Sequence, residues 1–472
     1  MALTEDDLKT FEENGIDPEN PGKYETLLQD LQGNILKGHG REHAVHLFLK
    51  FKDGKTPEVK QWIQYFATTY VTSAKMQSDE AVQYRTEKIP GSIFANFFLS
   101  RKGYEYLGFK PSKIPADQPF RYGMKNDTVR NLLADPPVEA WDLGFQEDIH
   151  ALVLMADNNV VGLLQEVNKM SQHLLQVAEI VQREDGFVLR NECNQAIEHF
   201  GFVDGVSQPL FLKRDIVAAR IQNVDFSKWD PRAPLSIILV KDRNGQTEDS
   251  YGSYLVYRKL EQNVEQFLKD EQHLAEQLGI DKELAGALIM GRFRDGTPVT
   301  LADIPAAASN NFNYNDDAEG TKCPFHAHIR KANPRGDLTR VESSVDYTES
   351  SVTERSHRIA RRGISFGEND CTKKTSSGSG LLFLCFEADI ENQFNFMQAA
   401  WSNTGNFVKV NVGPDPIIGQ AGIARKQQWP KKWGEAETVE GFDFPLWVHM
   451  KGGEYFFAPS MSCLTNMAEA TQ

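Results

Sequence analysis

The chain has 472 residues, of which 40% are apolar, 25% charged and 10% aromatic, an ordinary globular balance with length for two or three domains or one large α+β unit. Fifty-one Lys and Arg face 66 Asp and Glu, a net charge of −15, and that field argues against nucleic-acid and membrane-surface partners. Five cysteines (Cys193, Cys323, Cys371, Cys385, Cys463) form no CxxC pair, which excludes a disulfide framework and a zinc ribbon. The first residues show no basic-then-apolar leader, and the longest apolar run, at 381–386, is too short to cross a bilayer, so the expected compartment is the cytoplasm.

Residues 1–42 are polar and Gly-rich and contain Asp30-Leu-Gln-Gly-Asn-Ile-Leu36; they read as an N-terminal arm that packs on the body. Residues 43–51 are rich in β-formers, and 56–66 place Val59, Trp62, Ile63 and Phe66 at helical spacing behind a Thr-Pro start. Strands follow at 92–100 and 150–155 and an amphipathic helix at 159–170, so residues 43–220 carry a β-α-β-β-α-β half. The second half, 221–472, offers strands at 235–240 and 251–257, helices at 261–278 and 282–290, a strand at 380–386 and a helical stretch at 390–400. Two such split βαβ, ferredoxin-like halves predict an α+β fold with antiparallel sheets packed together and helices outside. The polar stretches 310–320 and 342–358 are longer than ordinary connections, as functional loops often are, and 374–380 is a short flexible turn.

Three clusters could carry chemistry. In Phe200-Gly-Phe-Val-Asp-Gly-Val-Ser-Gln-Pro209 the glycines allow a sharp turn that holds Asp204 at a pocket wall; the bland alternative is a simple Asp-Gly turn. In Cys323-Pro-Phe-His-Ala-His-Ile-Arg-Lys-Ala-Asn-Pro-Arg335 an extended backbone points His326 and His328 the same way. The pair could bind zinc or manganese with Cys323 or a distant carboxylate, or one histidine could ligate haem iron with Arg330 and Arg335 near the propionates, or both could be ordinary surface and core residues. In Arg358-Ile-Ala-Arg-Arg-Gly-Ile-Ser-Phe-Gly367 adjacent arginines before a glycine either turn one guanidinium into a cavity or lie on a solvated face. No phosphate loop, GxGxxG, GxSxG or HExxH occurs.

Taken together and in this order, the segments resemble the dye-decolorising peroxidase family. Gly201-Phe-Val-Asp-Gly205 matches its Gly-x-x-Asp-Gly signature, residues 323–335 its haem-ligand segment and 358–367 its distal-arginine segment, with support at 30–36 and 380–389. The likeness covers almost the whole chain and is nearer to the larger intracellular bacterial members. It implies the dimeric α+β barrel fold and one haem b per chain. It also implies hydrogen peroxide as oxidant, dyes and phenols as bulky one-electron donors, and either a monomer or a homo-oligomer. Residue by residue, it implies His328, directly before Ile-Arg, as axial iron ligand with His326 as a neighbour, and Asp204 as distal acid and base. Arg361, after Arg-Ile-Ala, is the implied charge stabiliser, with Arg362 as the alternative, and Arg330, Asn333, Arg335 and Arg361 are implied cofactor contacts. The acid that accepts the free ring N–H of His328 is left open among Asp389, Glu391 and other carboxylates. Carboxylates titrate as a class near pH 4 and imidazoles near 6.5, so a carboxylate base implies an acidic activity optimum. Seven tryptophans and 13 tyrosines offer electron routes without singling one out. Two rival readings stand beside this one: a haem-handling protein of the same fold without turnover, and a non-haem metal enzyme built on His326 and His328.

Overall fold

The structure, a computed structural model, describes residues 2–10, 13–338, 353–420, 427–441 and 444–469. Strands β1 (His43–Phe51), β2 (Phe94–Leu99), β3 (Ala151–Asp157) and β4 (Ala178–Phe187) form an antiparallel sheet in the order β2-β3-β1-β4. After a short β5 (Val240–Lys241), the pattern recurs with β6 (Tyr251–Gln262), β7 (Ala360–Arg361), β8 (Ile364–Phe366) and β9 (Gly380–Glu387). A small hairpin of β10 (Gln428–Pro430) and β11 (Thr438–Glu440) then leads to β12 (Val448–Ala458), and the second sheet runs β12-β6-β9-β8. Single pairings, Phe457 with Leu99 and Phe187 with Ser365, join the two sheets at their seams and close an eight-stranded ring. This is the expected α+β architecture of two ferredoxin-like halves.

Helix Thr56–Thr69 buries Val59, Trp62, Ile63 and Phe66, and helix Val160–Leu174 buries Leu163, Val167, Met170 and Leu174. Both follow the apolar spacing that predicts them. Helix Ala74–Glu87 buries only Ala74, so it left no periodic trace in the sequence. Two expectations need correction. Residues 235–240 are a 3-10 turn at Leu235–Ile237 followed by the two-residue β5, not a full strand. The helix expected from 261 starts at Val264, because β6 stays paired with β12 through Gln262 and the Asn263 side chain caps the helix by accepting from Gln266 N at 3.0 Å. The long loop expected at 342–358 lies outside the described residues as far as 352.

The arm does pack on the body, across one seam. Gln32 is fully buried; its Oε1 accepts from Phe97 N at 3.0 Å, and its Nε2 donates to Phe97 O and to Pro459 O, both at 2.8 Å. Asp30 accepts from Ser250 Oγ at 2.6 Å and from Ser462 N at 2.6 Å. The arm therefore ties β2 to the end of β12 where the sheet itself supplies one pairing.

Alternation along the strands sets where a site can form. On β9, Leu382, Leu384 and Phe386 face the core, while Leu381 and Phe383 face a cavity on the outer side of the second sheet; Arg258, Leu260 and Gln262 of β6 line the same cavity. No helix among the described residues is long and apolar enough to cross a membrane.

Candidate active site

The cavity holds about 250 Å³ of water-accessible space and brings together Asp204, His328, Asn333, Arg335 and Arg361. On one wall His328 begins the short helix His328–Ala332, so the segment is not extended as the two-residue histidine spacing suggested. Its Nδ1 lies 2.8 Å from Asp415 Oδ2. With Nδ1 engaged by a carboxylate, Nε2 is the ring nitrogen left for a metal. Asp415 is fully enclosed, and its Oδ1 accepts from Ile417 N at 2.8 Å and Ile418 N at 3.0 Å. The acid left open in the sequence is thus Asp415. Asp389 instead caps the turn at Asn392.

On the facing wall Arg361 Nη1 lies 3.3 Å from Asp204 Oδ1, with both side chains about one third exposed (35% and 33%). Arg361 also donates Nη2 to Ser207 O at 3.1 Å and its backbone N to Gln208 Oε1 at 3.0 Å. The choice between the two arginines follows from strand alternation: Arg361 pairs with Cys385, on the same face of β9 as Leu381 and Phe383. Arg362 therefore points the other way, where its Nε and Nη2 bond Asn34 O and Ile35 O of the arm at 2.7 and 2.9 Å. Gly201 and Gly205, at φ +93° and +74°, allow the turns around Asp204, and Gly205 N donates to Asp204 Oδ1 at 2.6 Å.

Arg335 lines the cavity between the faces of Trp229 and Phe312, 4.1 and 4.0 Å from the ring centres, and donates to Ser207 Oγ at 3.0 Å; Asn333 lies beside it. Arg330 does not line the cavity. It is fully buried, held by Asp317 at 3.0 Å and Asp337 at 2.7 Å and stacked on Tyr314 and Phe325, so its charge is neutralised locally and is not offered to a ligand. His326 is also outside, edge-on to Trp429 at 4.4 Å, and burial lowers its pKa to about 3. Burial likewise pushes the Cys323 thiol up to about 12. The proposed His326/His328/Cys323 grouping does not assemble, and no group of three or more His, Cys, Asp or Glu among the described residues could hold a metal ion.

A haem fits this chemistry. One imidazole is oriented by a buried carboxylate, the intervening walls are apolar (Leu260, Ile329, Phe383, Phe394, Ile417), and guanidinium and amide groups lie at the side. A roomier groove, about 900 Å³, lies between the arm and helices Ala74–Glu87 and Lys213–Gln222, but charges along it are matched in pairs such as Lys37 with Asp215 and Arg41 with Glu80. Size alone does not mark the site. Sequence reading missed Asp415, Ser207 and Gln208; the available signal for Asp415 was a carboxylate in an otherwise apolar Pro414-Asp-Pro-Ile-Ile418 stretch.

Comparison with known proteins gives the family of the chain. Residues 30–189 match the family described as DyP dimeric alpha+beta barrel domain, and residues 196–410 match Dyp-type peroxidase, C-terminal. The chain is 63% identical to the DyP-type peroxidase of Anabaena sp., whose structure superposes with a TM-score of 0.97 over 99% of this chain and 100% of that one. It is 37% identical to the multifunctional dye peroxidase DyP2 of Amycolatopsis sp. over 94% of this chain and 97% of that protein, whose structure gives a TM-score of 0.88. A dye-decolorizing peroxidase solved in complex with 2,6-dimethoxyphenol is 28% identical, with a TM-score of 0.73 over 93% and 99% of the two chains. The chain belongs to the DyP-type peroxidase family, haem-dependent oxidoreductases that act on peroxide.

Proposed function

We propose that this protein binds one haem b per chain through His328, reduces hydrogen peroxide, and oxidises aromatic donors such as dyes and phenols in one-electron steps. The observation that carries the reading is the pairing of two walls in one cavity: His328 on Asp415, and Arg361 on Asp204. His328, with Arg335 and Asn333 at the side, would hold the haem in this cavity, and that group would supply redox-active iron for cleavage of peroxide. Asp204 takes the proton from the near oxygen of hydrogen peroxide and returns it to the departing oxygen, which leaves as water. Arg361 offers a fixed positive charge where negative charge develops, and its bond to Ser207 O keeps it aimed there. Asp415 holds the proton on Nδ1 of His328, and Arg335 and Asn333 meet the propionates. The related enzyme solved with 2,6-dimethoxyphenol supports phenols as donors, and five free cysteines fit a reducing cytoplasm. Binding without turnover needs neither Asp204 nor Arg361, so their presence in the cavity favours catalysis.

The test is stopped-flow absorbance of the haem-loaded protein with one equivalent of peroxide. Asp204→Asn keeps size and removes the base, so the spectral change slows by about 10²- to 10⁴-fold while the resting Soret band persists. An unchanged rate refutes the assignment. His328→Ala loses the haem; full occupancy in that variant refutes the ligand.

A further inference from the structure

The loop that presents Asp204 is itself held by a second carboxylate. Glu198 lines the same cavity; its Oε2 accepts from Phe200 N at 2.9 Å and its Oε1 from Phe202 N at 3.0 Å. Gln262 Nε2, from β6, donates to Oε2 at 2.5 Å. The main chain of Glu198 closes the same turn from both sides: its N donates to Phe202 O at 3.1 Å, and its O accepts from Gly201 N at 2.8 Å. Only Val203 separates this clamp from Asp204, whose own N bonds Ala196 O at 3.1 Å. Gln262 Oε1 is buried and has no donor within reach, so the amide is oriented through its bond to Glu198. The side chain of Glu198 thus fixes the N–H groups of Phe200 and Phe202, on either side of Gly201, and ties the signature loop to the strand whose outer face forms the cavity floor.

We propose that Glu198 is a positioning residue for the peroxide reaction, acting through Asp204 by holding the Gly201–Gly205 turn in register with β6. An ionised carboxylate suits the role because it accepts on both oxygens. Burial raises its pKa, and the donated hydrogen bonds oppose that shift. An amide at this position turns one NH2 group toward an N–H donor and opens one side of the clamp. The inference rests on the reading of Asp204 as the proton acceptor.

The experiment is a double-mutant cycle on haem-loaded enzyme, following the second-order rate constant for peroxide by the Soret change. A displacement of about 1 Å at a catalytic group costs on the order of 100-fold, so Glu198→Gln lowers the rate constant by ~10- to 100-fold with the Soret position and the KM for the phenolic donor unchanged. In the Asp204→Asn background the same substitution adds nothing beyond ~2-fold, because its effect passes through Asp204. Gln262→Leu, which removes one of the three side-chain bonds, gives a smaller loss with the same coupling and serves if Glu198→Gln fails to load haem. Full and independent losses in the Asp204→Asn background, or an unchanged rate in Glu198→Gln, overturn the proposal. If Asp204→Asn itself leaves the rate intact, the underlying reading of Asp204 fails with it; if only the Glu198 effect is missing, that reading stands alone.

Discussion

Asp415→Asn probes the proximal wall with almost no change of shape, and the structure says which way the amide turns. The carboxylate is acceptor on both sides: Oδ2 to His328 Nδ1 at 2.8 Å, Oδ1 to the N–H groups of Ile417 and Ile418 at 2.8 and 3.0 Å. Asparagine has one acceptor end. If its oxygen faces His328, its NH2 group confronts two buried backbone donors, each left unsatisfied at about 1–3 kcal/mol. If the oxygen faces the backbone, the NH2 group meets His328 Nδ1, which must then accept. That tautomer carries its proton on Nε2, the atom that has to be bare to bind a metal. The second orientation wins in the absence of haem, and binding haem requires a return to the first. With both donors orphaned at the lower end of that range the cost is about 2–3 kcal/mol and corresponds to a ~30- to 160-fold weaker haem affinity, close to the range typical of lost outer partners of metal-bound histidines. Losing the carboxylate charge also removes about 1 kcal/mol of preference for the ferric state, because charge-assisted bonds are about twice as strong as neutral ones, and this raises the midpoint potential by ~40 mV. Haem titration of the apoprotein at the Soret band and a spectroelectrochemical titration read both quantities. An affinity and a potential indistinguishable from the parent refute the argument.

The other predictions separate chemistry from scaffold. Arg361→Leu slows peroxide cleavage by ~10²- to 10³-fold, whereas Arg362→Leu leaves that step intact and destabilises the fold by ~2–4 kcal/mol through the lost bonds to the arm; the reverse pattern in stopped-flow and urea unfolding defeats the assignment of the two arginines. Arg330→Met takes the guanidinium away from two buried carboxylates, Asp317 and Asp337, and costs about 3–5 kcal/mol of stability without changing the haem affinity of the folded fraction; a selective loss of haem affinity instead means the guanidinium does serve the cofactor. Burial lowers the pKa of His46, which is fully enclosed, to about 3. Its unfolded form takes up a proton below about pH 6.5 and its folded form does not, so its contribution is intact above pH 6.5 and declines as pH falls, by about 1.4 kcal/mol per pH unit. His46→Phe flattens the slope of unfolding free energy between pH 6.5 and 5 by that amount, and an unaltered slope in urea titrations contradicts the reasoning.

Several periodic segments with one buried face were readable from sequence, but β4 and the long, buried β12 were given no strand there. Val59, Trp62, Ile63 and Phe66 betrayed their helix, whereas helix Ala74–Glu87 has nothing but Ala74 in the core and stayed invisible. The limits of β6 were misread because strand pairing through Gln262, a tertiary effect, overrides the helical pattern that begins at Glu261. In the site, the Gly-x-x-Asp-Gly loop, His328 and Arg361 were legible because glycine spacing and family resemblance mark them. Arg330 misled: lying between His328 and Arg335 in sequence, it turns into a carboxylate cage, and only the fold shows that Asp317 and Asp337 surround it. Asp415 was hidden for the opposite reason. Its partner is 87 positions away, and a single carboxylate between prolines has no periodic signature.

One rule of construction recurs on both walls of the cavity. His328 is oriented by Asp415, which is pinned by the N–H groups of Ile417 and Ile418; the loop bearing Asp204 is clamped by Glu198, which takes the N–H groups of Phe200 and Phe202. In each case a carboxylate that has lost most of its solvent recovers hydrogen bonds from backbone donors that cannot move without breaking the local turn. Such donors are fixed before any ligand arrives, so the side chains they hold are oriented in advance. The arrangement explains how Asp204 and Asp415 can sit on irregular segments, 198–208 and 413–419, and still be held: the carboxylates that anchor these segments are satisfied by backbone donors, and the second sheet contributes a floor through Leu381, Phe383, Leu260 and Gln262.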